Sequence, residues 1–289
     1  MKRIHFFFLP FFFFIISFKV WTQIKEEASI NIGKKKSTKA LNVSILKKEF
    51  IIDGLNNISH KVWLYLPPNY ESSSERYPVI YMHDAQNLFD DITSFVGEWG
   101  VDETLNDFYK NTGKGFIVIG IENGGEKRIE EYTPWKNEKY GGGKGAIYIK
   151  FIAKKLKPFI DQNYRTKHVA NQTAIIGSSL GGLISFYGGL EYPDVFGKVG
   201  ALSTSFWFSN KVIDFAKEKG KQTQTKLYLL IGEKEVATMI HDTLNMEKLL
   251  IELGFPKENI KSKVAVGGQH KESFWRAEFL ETVKFLYNL

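Results

Sequence analysis

From residue 41 onward the apolar positions switch repeatedly between the short period of strands and the longer period of helices. Ser44 to Ile52 and Ser59 to Leu66 alternate or run apolar, with Asp53-Gly54 and Asn56-Asn57 between them, which predicts an antiparallel pair opening a sheet. Pro67-Pro68-Asn69 ends it, and the polar stretch Glu71 to Arg76 reads as a surface loop. Tyr77 to Met82 and Phe116 to Ile121 are continuous apolar runs suited to central parallel strands, with Val101 to Tyr109 a helix between them. Residues 122 to 145 hold Asn123-Gly124-Gly125 and Gly141-Gly142-Gly143, a long loop that predicts a lid or substrate wall. Ile147 to Gln162 has helical spacing, and Thr173 to Ile176 is a β-branched run suited to a buried strand. Leu183, Phe186, Tyr187 and Leu190 then recur helically until Tyr192-Pro193. Val199 to Ser205, Leu227 to Ile231 and Ile260 to Val266 complete the strands, Val236 to Leu253 and Phe274 to Leu286 the helices. The pattern predicts an α/β fold with a mostly parallel, doubly wound sheet of about eight strands, an N-terminal antiparallel hairpin and helices on both faces.

The first residues do not belong to that pattern. Lys2-Arg3 precedes a phenylalanine-rich apolar run from Ile4 to Phe18, followed by Thr22-Gln23-Ile24-Lys25, the arrangement of a secretory signal peptide over residues 1–22. The run is short for a membrane span, so no stable insertion is expected once it is cleaved; an uncleaved anchor is the alternative. Residues 23–40 are rich in Ser, Lys and Asn without periodicity and read as a flexible linker, leaving 41–289 as one domain. The expected location is therefore periplasmic or extracellular. Cysteine is absent, which excludes disulfides, thiol catalysis and thiolate metal sites. The formal charge of +7 falls to +4 when Lys2, Arg3 and Lys19 leave with the signal. The one dense basic run, Lys34-Lys35-Lys36, lies in the linker, so nucleic acid is not an expected partner.

The candidate chemistry centres on Gly177-Ser178-Ser179-Leu180-Gly181, between the predicted strand and helix. A serine bracketed by glycines there has the form of a nucleophile elbow, with the Ser179 hydroxyl above the carboxyl edge of the sheet. A hydroxyl is a poor nucleophile at neutral pH and needs a histidine, usually oriented by a carboxylate. His5 leaves with the signal, and His60 and His168 precede the elbow strand and read as structural. The order of elements is that of an α/β-hydrolase, whose triad runs Ser, acid, His along the chain and leaves His241 and His270. His241 falls inside a helix, whereas His270 follows the last strand in a loop, so His270 is the expected base. Glu233 and Glu235 both follow the strand ending at Ile231; Glu235 is the first choice and Glu233 the reserve. The oxyanion requires two backbone N–H groups, expected from Leu180 and from Gln86 in the loop His83 to Asp90. His83 and Asp84 lack the further ligands of a metal set, and neither a metal nor a cofactor is expected.

These residues lie in separated motifs that resemble the esterase family of α/β-hydrolases containing siderophore esterases, feruloyl and acetyl-xylan esterases, S-formylglutathione hydrolase and mycolyltransferases. The motifs are Tyr81 to Asp90, Glu98-Trp99-Gly100-Val101-Asp102, Glu131 to Trp135, Lys157 to Asp161, Gly177 to Gly182, Pro193 to Gly197 and His270 to Trp275. The resemblance covers roughly residues 45 to 288 and implies Ser179 as nucleophile, His270 as base, an acid matching Glu235 and an oxyanion donor matching Gln86. The family usually has glycine where this chain has Ala85, so a positive φ there would strain the oxyanion loop. The stretch around Gly145-Ala146 also lacks an acidic residue often seen in the family.

The leading expectation is an exported serine carboxylic ester hydrolase acting through an acyl-enzyme, on a siderophore ester or an acylated carbohydrate. Acyl transfer with the same triad, and a non-catalytic ligand-binding relative, are the competing readings. Asp84, Trp99, Tyr132, Trp135, Trp207 and Trp275 are the candidate substrate contacts; the tryptophans would stack on phenolic or sugar groups, with burial in the core as their alternative role. Oligomeric state is not legible.

Overall fold

Ten strands and eight helices can be followed in a computed structural model, which describes residues 36–55, 58–94, 96–222 and 224–289. The predicted signal and most of the linker lie outside the described residues. Ser37–Leu289 is one compact unit. The strands are β1 (Val43–Ile45), β2 (Phe50–Ile51), β3 (Ser59–His60), β4 (Val62–Tyr65), β5 (Val79–His83), β6 (Ile117–Ile121), β7 (Thr173–Ser178), β8 (Lys198–Leu202), β9 (Lys226–Gly232) and β10 (Ile260–Ala265). The helices are α1 (Val101–Thr112), α2 (Arg128–Tyr132), α3 (Gly145–Phe151), α4 (Lys157–Asn163), α5 (Leu180–Glu191), α6 (Lys211–Lys219), α7 (Ala237–Glu252) and α8 (Glu272–Tyr287).

Eight strands form one sheet in the order β1-β4-β6-β5-β7-β8-β9-β10. β4 runs antiparallel to both its neighbours, and the strands from β6 to β10 are parallel. Successive residues of a strand point to opposite faces, so the central strands divide their side chains between two cores. Tyr81, Ile119, Ile175, Val199 and Leu229 pack into one. Ile80, Met82, Val118, Ala174, Ile176, Tyr228 and Leu230 pack into the other. Apolar demand on both faces is why these runs are continuous rather than alternating.

The predicted antiparallel opening pair is present, as two ladders: β1 pairs with β4 in the main sheet, and β2 with β3 in a separate two-stranded ladder. The structure departs from the predicted elements in two places. The stretch 122–145 is partly helical, with a one-turn 3₁₀ segment at Gly125–Lys127 followed by α2. The predicted helix Ile147 to Gln162 spans α3 and α4 and widens into a π-turn at Ile152–Leu156. Pro158 has no N–H to donate to the carbonyl of Lys154, and a widened turn accommodates that missing rung.

The linker also ends earlier than residue 40. Ser37 Oγ donates to Asp90 Oδ2 (2.7 Å), Thr38 Oγ1 to Glu98 Oε2 (2.5 Å) and the Ala40 N–H to Asp102 Oδ2 (2.8 Å). Three carboxylates thus hold this segment against the domain, a tie that composition does not reveal.

Candidate active site

Parallel strands in register bring the loops after their carboxyl ends side by side, and the order β5-β7-β8-β9-β10 fixes which loops are neighbours. Met82 is opposite Ile176, Ser178 opposite Leu202, Leu202 opposite Leu230, and Gly232 opposite Ala265. The residues that follow are therefore, across the edge, Asp84 and Gln86, Ser179, Ser203 and Ser205, Glu235, and His270.

Ser179 stands between β7 and α5 with φ 59° and ψ −120°, a strained backbone typical of a strand-to-helix elbow. The turn needs glycine at 177, because a Cβ there would lie 2.5 Å from the carbonyl oxygen of Gly181 and 2.9 Å from His83 Cδ2. Ser179 N–H is tied to Leu202 O (2.9 Å), and Ser179 O accepts from Ser205 N–H (3.2 Å). The hydroxyls of Ser179 and Ser205 are 3.3 Å apart. Leu180 is the first residue of α5, so its N–H has no partner within the helix and points out of the positive end of the helix dipole.

Gln86 is the middle residue of the 3₁₀ turn Ala85–Asn87 after β5. The positive φ of this loop falls on Asp84 (φ 58°, ψ 44°); Ala85 is not among the positive-φ residues. The strain expected at Ala85 is therefore displaced by one position. Asp84 is pinned by a bidentate contact with Arg128 (Nε to Oδ1 and Nη2 to Oδ2, both 2.8 Å), by Asn123 Nδ2 (2.6 Å) and by its own N–H donating to Tyr132 OH (3.0 Å). Burial would push this carboxyl up, but the Arg128 charge and these hydrogen bonds hold it below the ordinary value. Below it His83 is wholly buried against Tyr148 OH (2.9 Å), and burial drives its imidazole down to about 3, so it stays neutral.

Glu235 follows β9 at the start of α7, and its side chain is 1% exposed. Its Oε2 lies 2.8 Å from His270 Nδ1. Its Oε1 accepts from Ser203 Oγ (2.6 Å) and from the Gly232 N–H (2.9 Å). Burial pushes the carboxyl up, yet these three hydrogen bonds outweigh burial and keep it below the ordinary range. Ser203 itself has φ 46° and accepts from Trp275 Nε1 (2.8 Å), whose ring meets His270 edge to face at 5.0 Å. Glu233, the reserve acid, instead accepts from the Gly267 N–H (2.9 Å) and is exposed. His241 lies within α7, His60 is bound to Glu131 (2.9 Å), and His168 lies beside Thr166 and Arg76 before β7.

A cavity of about 360 Å³ is shared by Ser178, Ser179, His270, Asp84, Gln86, Asn87, Val96, Trp99, Asn123, Arg128, Glu272 and Trp275. Of the expected substrate contacts, it brings together Asp84, Trp99 and Trp275. Tyr132 is buried behind it, Trp135 packs on Tyr187 and Phe215, and Trp207 is exposed outside it. Burial raises the Glu272 carboxyl at the rim, with the Asp84 charge adding to the effect. Ser203, Ser205, Asn123 and Arg128 escape sequence reasoning; the run Ser203-Thr204-Ser205 after a strand beside the elbow was the available signal.

Outside the cavity, Glu98, Asp102 and Glu103 each bring a carboxylate oxygen within 4.8 Å of the others, all three raised chiefly by burial. Thr38 and Ala40 already engage two of them. Among the described residues no helix is long and apolar enough to cross a membrane.

The sequence and fold have relatives. Protein YbbA of Bacillus subtilis (strain 168), itself uncharacterized, is 28% identical over 237 residues, 78% of this chain and 91% of that protein. The structure of the BES protein from Bacillus cereus superposes with a TM-score of 0.69 at 19% identity, covering 88% of this chain and 97% of that one. The siderophore hydrolase EstA from Aspergillus nidulans gives 0.67 at 18% identity, over 86% and 94% of the two chains. These likenesses establish the α/β-hydrolase fold. The model of the Putative esterase family matches residues 56–286, and the chain belongs to that family of carboxylic ester hydrolases.

Proposed function

We propose that the chain is an exported serine esterase in which Ser179 is the nucleophile, His270 the general base and acid, and Glu235 the carboxylate that orients it. The carrying observation is the Glu235–His270 contact of 2.8 Å opening into the cavity that Ser179 shares. In the first step His270 Nε2 takes the Ser179 proton as Oγ attacks the ester carbonyl, while the Nδ1–H bond to Glu235 fixes the tautomer and stabilises the imidazolium. The Leu180 and Gln86 N–H groups receive the oxyanion. The imidazolium then protonates the leaving alcohol, and the same nitrogen activates water to release the acid.

Export rests on the apolar run Ile4 to Phe18 behind Lys2-Arg3. For the substrate, the cavity combines polar groups of both charges, Asp84, Glu272 and Arg128, with the small exposed edges of Trp99 and Trp275, whose rings are otherwise buried in the core, a mixture suited to the hydroxyl-rich esters of siderophores or acylated carbohydrates. The test is hydrolysis of a short-chain p-nitrophenyl ester by the wild type and by Ser179→Ala. The variant should keep its circular dichroism and lose at least ~10³-fold in kcat. Residual activity within tenfold of wild type removes Ser179 from the mechanism.

A further inference from the structure

Trp207 and Tyr140 are 46% and 45% exposed, and their rings meet at 5.8 Å and 80° to form an open corner. Phe208, buried beneath, touches both rings at 5.9 and 6.4 Å. A single exposed aromatic is ordinary, but both of these are held in place by the backbone around them. Trp207 sits in a turn closed by Phe208 N–H to Ser205 O (3.1 Å), and Ser205 N–H is itself bonded to Ser179 O (3.2 Å). Tyr140 sits in a tight hairpin in which Asn137 and Gly141 exchange both backbone hydrogen bonds (2.7 and 2.9 Å). The Asn137 side chain caps that hairpin through Lys139 N–H (2.9 Å) and Tyr140 N–H (3.1 Å), and its Nδ2 donates to Phe208 O (2.6 Å). One amide thus couples the two turns, so the rings are oriented before anything binds, which lowers the ordering cost of binding.

We propose that Tyr140 and Trp207 form a stacking subsite for a pyranose ring of the alcohol portion of an acylated carbohydrate whose ester carbonyl lies at Ser179. This rests on the reading of Ser179 as nucleophile. Trp207 is two residues beyond Ser205, a reach of at most about 7 Å along the chain, so the corner lies within one or two sugar units of the elbow. Neither ring lines the cavity holding Ser179, so the guest extends over the surface rather than filling a closed pocket. In an acetylated sugar the acyl group is only two carbons long and ends beside Ser179, so the part of such an ester that reaches the corner is the alcohol. Two aromatic faces at right angles offer a floor and a wall to the apolar C–H face of a sugar. Around them Lys136, Glu138 and Lys139 are exposed, with Lys139 Nζ 4.9 Å from the Tyr140 ring, supplying partners for ring hydroxyls.

The experiment compares wild type, Trp207→Ala, Trp207→Phe and Tyr140→Ala on p-nitrophenyl acetate and on acetylated xylo-, cello- and chito-oligosaccharides. A second arm titrates the unacetylated tetrasaccharides into Ser179→Ala, with and without Trp207→Ala, by calorimetry. Either alanine change should raise KM for an acetylated oligosaccharide so that kcat/KM falls at least tenfold more than on the aryl ester, with Trp207→Phe retaining most of it. At least one tetrasaccharide should bind Ser179→Ala and be lost with Trp207→Ala. Equal losses on both substrates would show that the rings only support the turn and would overturn the proposal. Absence of oligosaccharide binding in the second arm would also overturn it. Failure to hydrolyse any ester would count against Ser179 chemistry, while the calorimetric arm still reads the corner.

Discussion

Ser203→Ala tests the carboxylate's support more sharply than mutation of the carboxylate itself. The Ser203 hydroxyl is fully buried, donates to Glu235 Oε1 at 2.6 Å and accepts from Trp275 Nε1 at 2.8 Å. Removing it deletes one hydrogen bond to an ionised group, about 1.5–3 kcal/mol, and strands a buried indole N–H, about 1–3 kcal/mol. The Gly232 N–H still reaches the same carboxylate oxygen, and the two losses overlap, so the expected destabilisation is about 2–4 kcal/mol. Ser203→Gly loses the same bonds but relieves a positive φ of 46°, and should be about 1 kcal/mol more stable than the alanine variant. With one anchor gone, Glu235 holds His270 less firmly, and kcat should fall about tenfold, equivalent to about 1.4 kcal/mol, with KM little changed. Urea unfolding of wild type and both variants, with kcat on an aryl ester, reads all three quantities. An alanine variant within 0.5 kcal/mol of wild type on that scale of ~1 kcal/mol per bond would refute the assignment of these bonds as structural support.

Glu235→Gln should lower kcat at least ~10²-fold by disturbing the His270 tautomer, whereas Glu233→Gln, which loses only an exposed bond to the Gly267 N–H, should stay within about threefold; steady-state kinetics on the two proteins decides. The reverse ranking moves the acid to Glu233. Because the Glu235 carboxyl is held below its unfolded value, the stability it contributes is present above the unfolded pKa of about 4.3 and is lost as pH falls through the lower folded value. Urea midpoints of wild type measured downward from pH 6 should therefore drop more steeply than those of Glu235→Gln, and parallel curves would contradict the shift.

The sheet was legible because both its faces are covered: continuous runs such as Tyr77 to Met82 announce parallel strands, and the elbow and the loops around Glu235 and His270 follow from strand ends. What stayed hidden depends on contacts between segments distant in sequence. Asp84 illustrates this, since its partners Asn123, Arg128 and Tyr132 all come from a stretch that composition marks as a loop. Glycine at 85 would relieve a positive φ there, yet the left-handed residue is Asp84, whose carboxylate, doubly held by Arg128, stabilises a conformation that Asp tolerates better than most residues. Ala85 is wholly buried without a positive φ, so Ala85→Gly relieves nothing, adds freedom to the unfolded chain and removes a packed methyl. It should destabilise the protein by about 1–2 kcal/mol, the sum of roughly 0.5–1 for backbone entropy and about 0.8 for the methyl, and should not raise kcat. A thermal melt with a kcat measurement checks both; a variant that is more stable or faster than wild type would put the strain back on Ala85 and undo the placement of the oxyanion loop derived from Asp84.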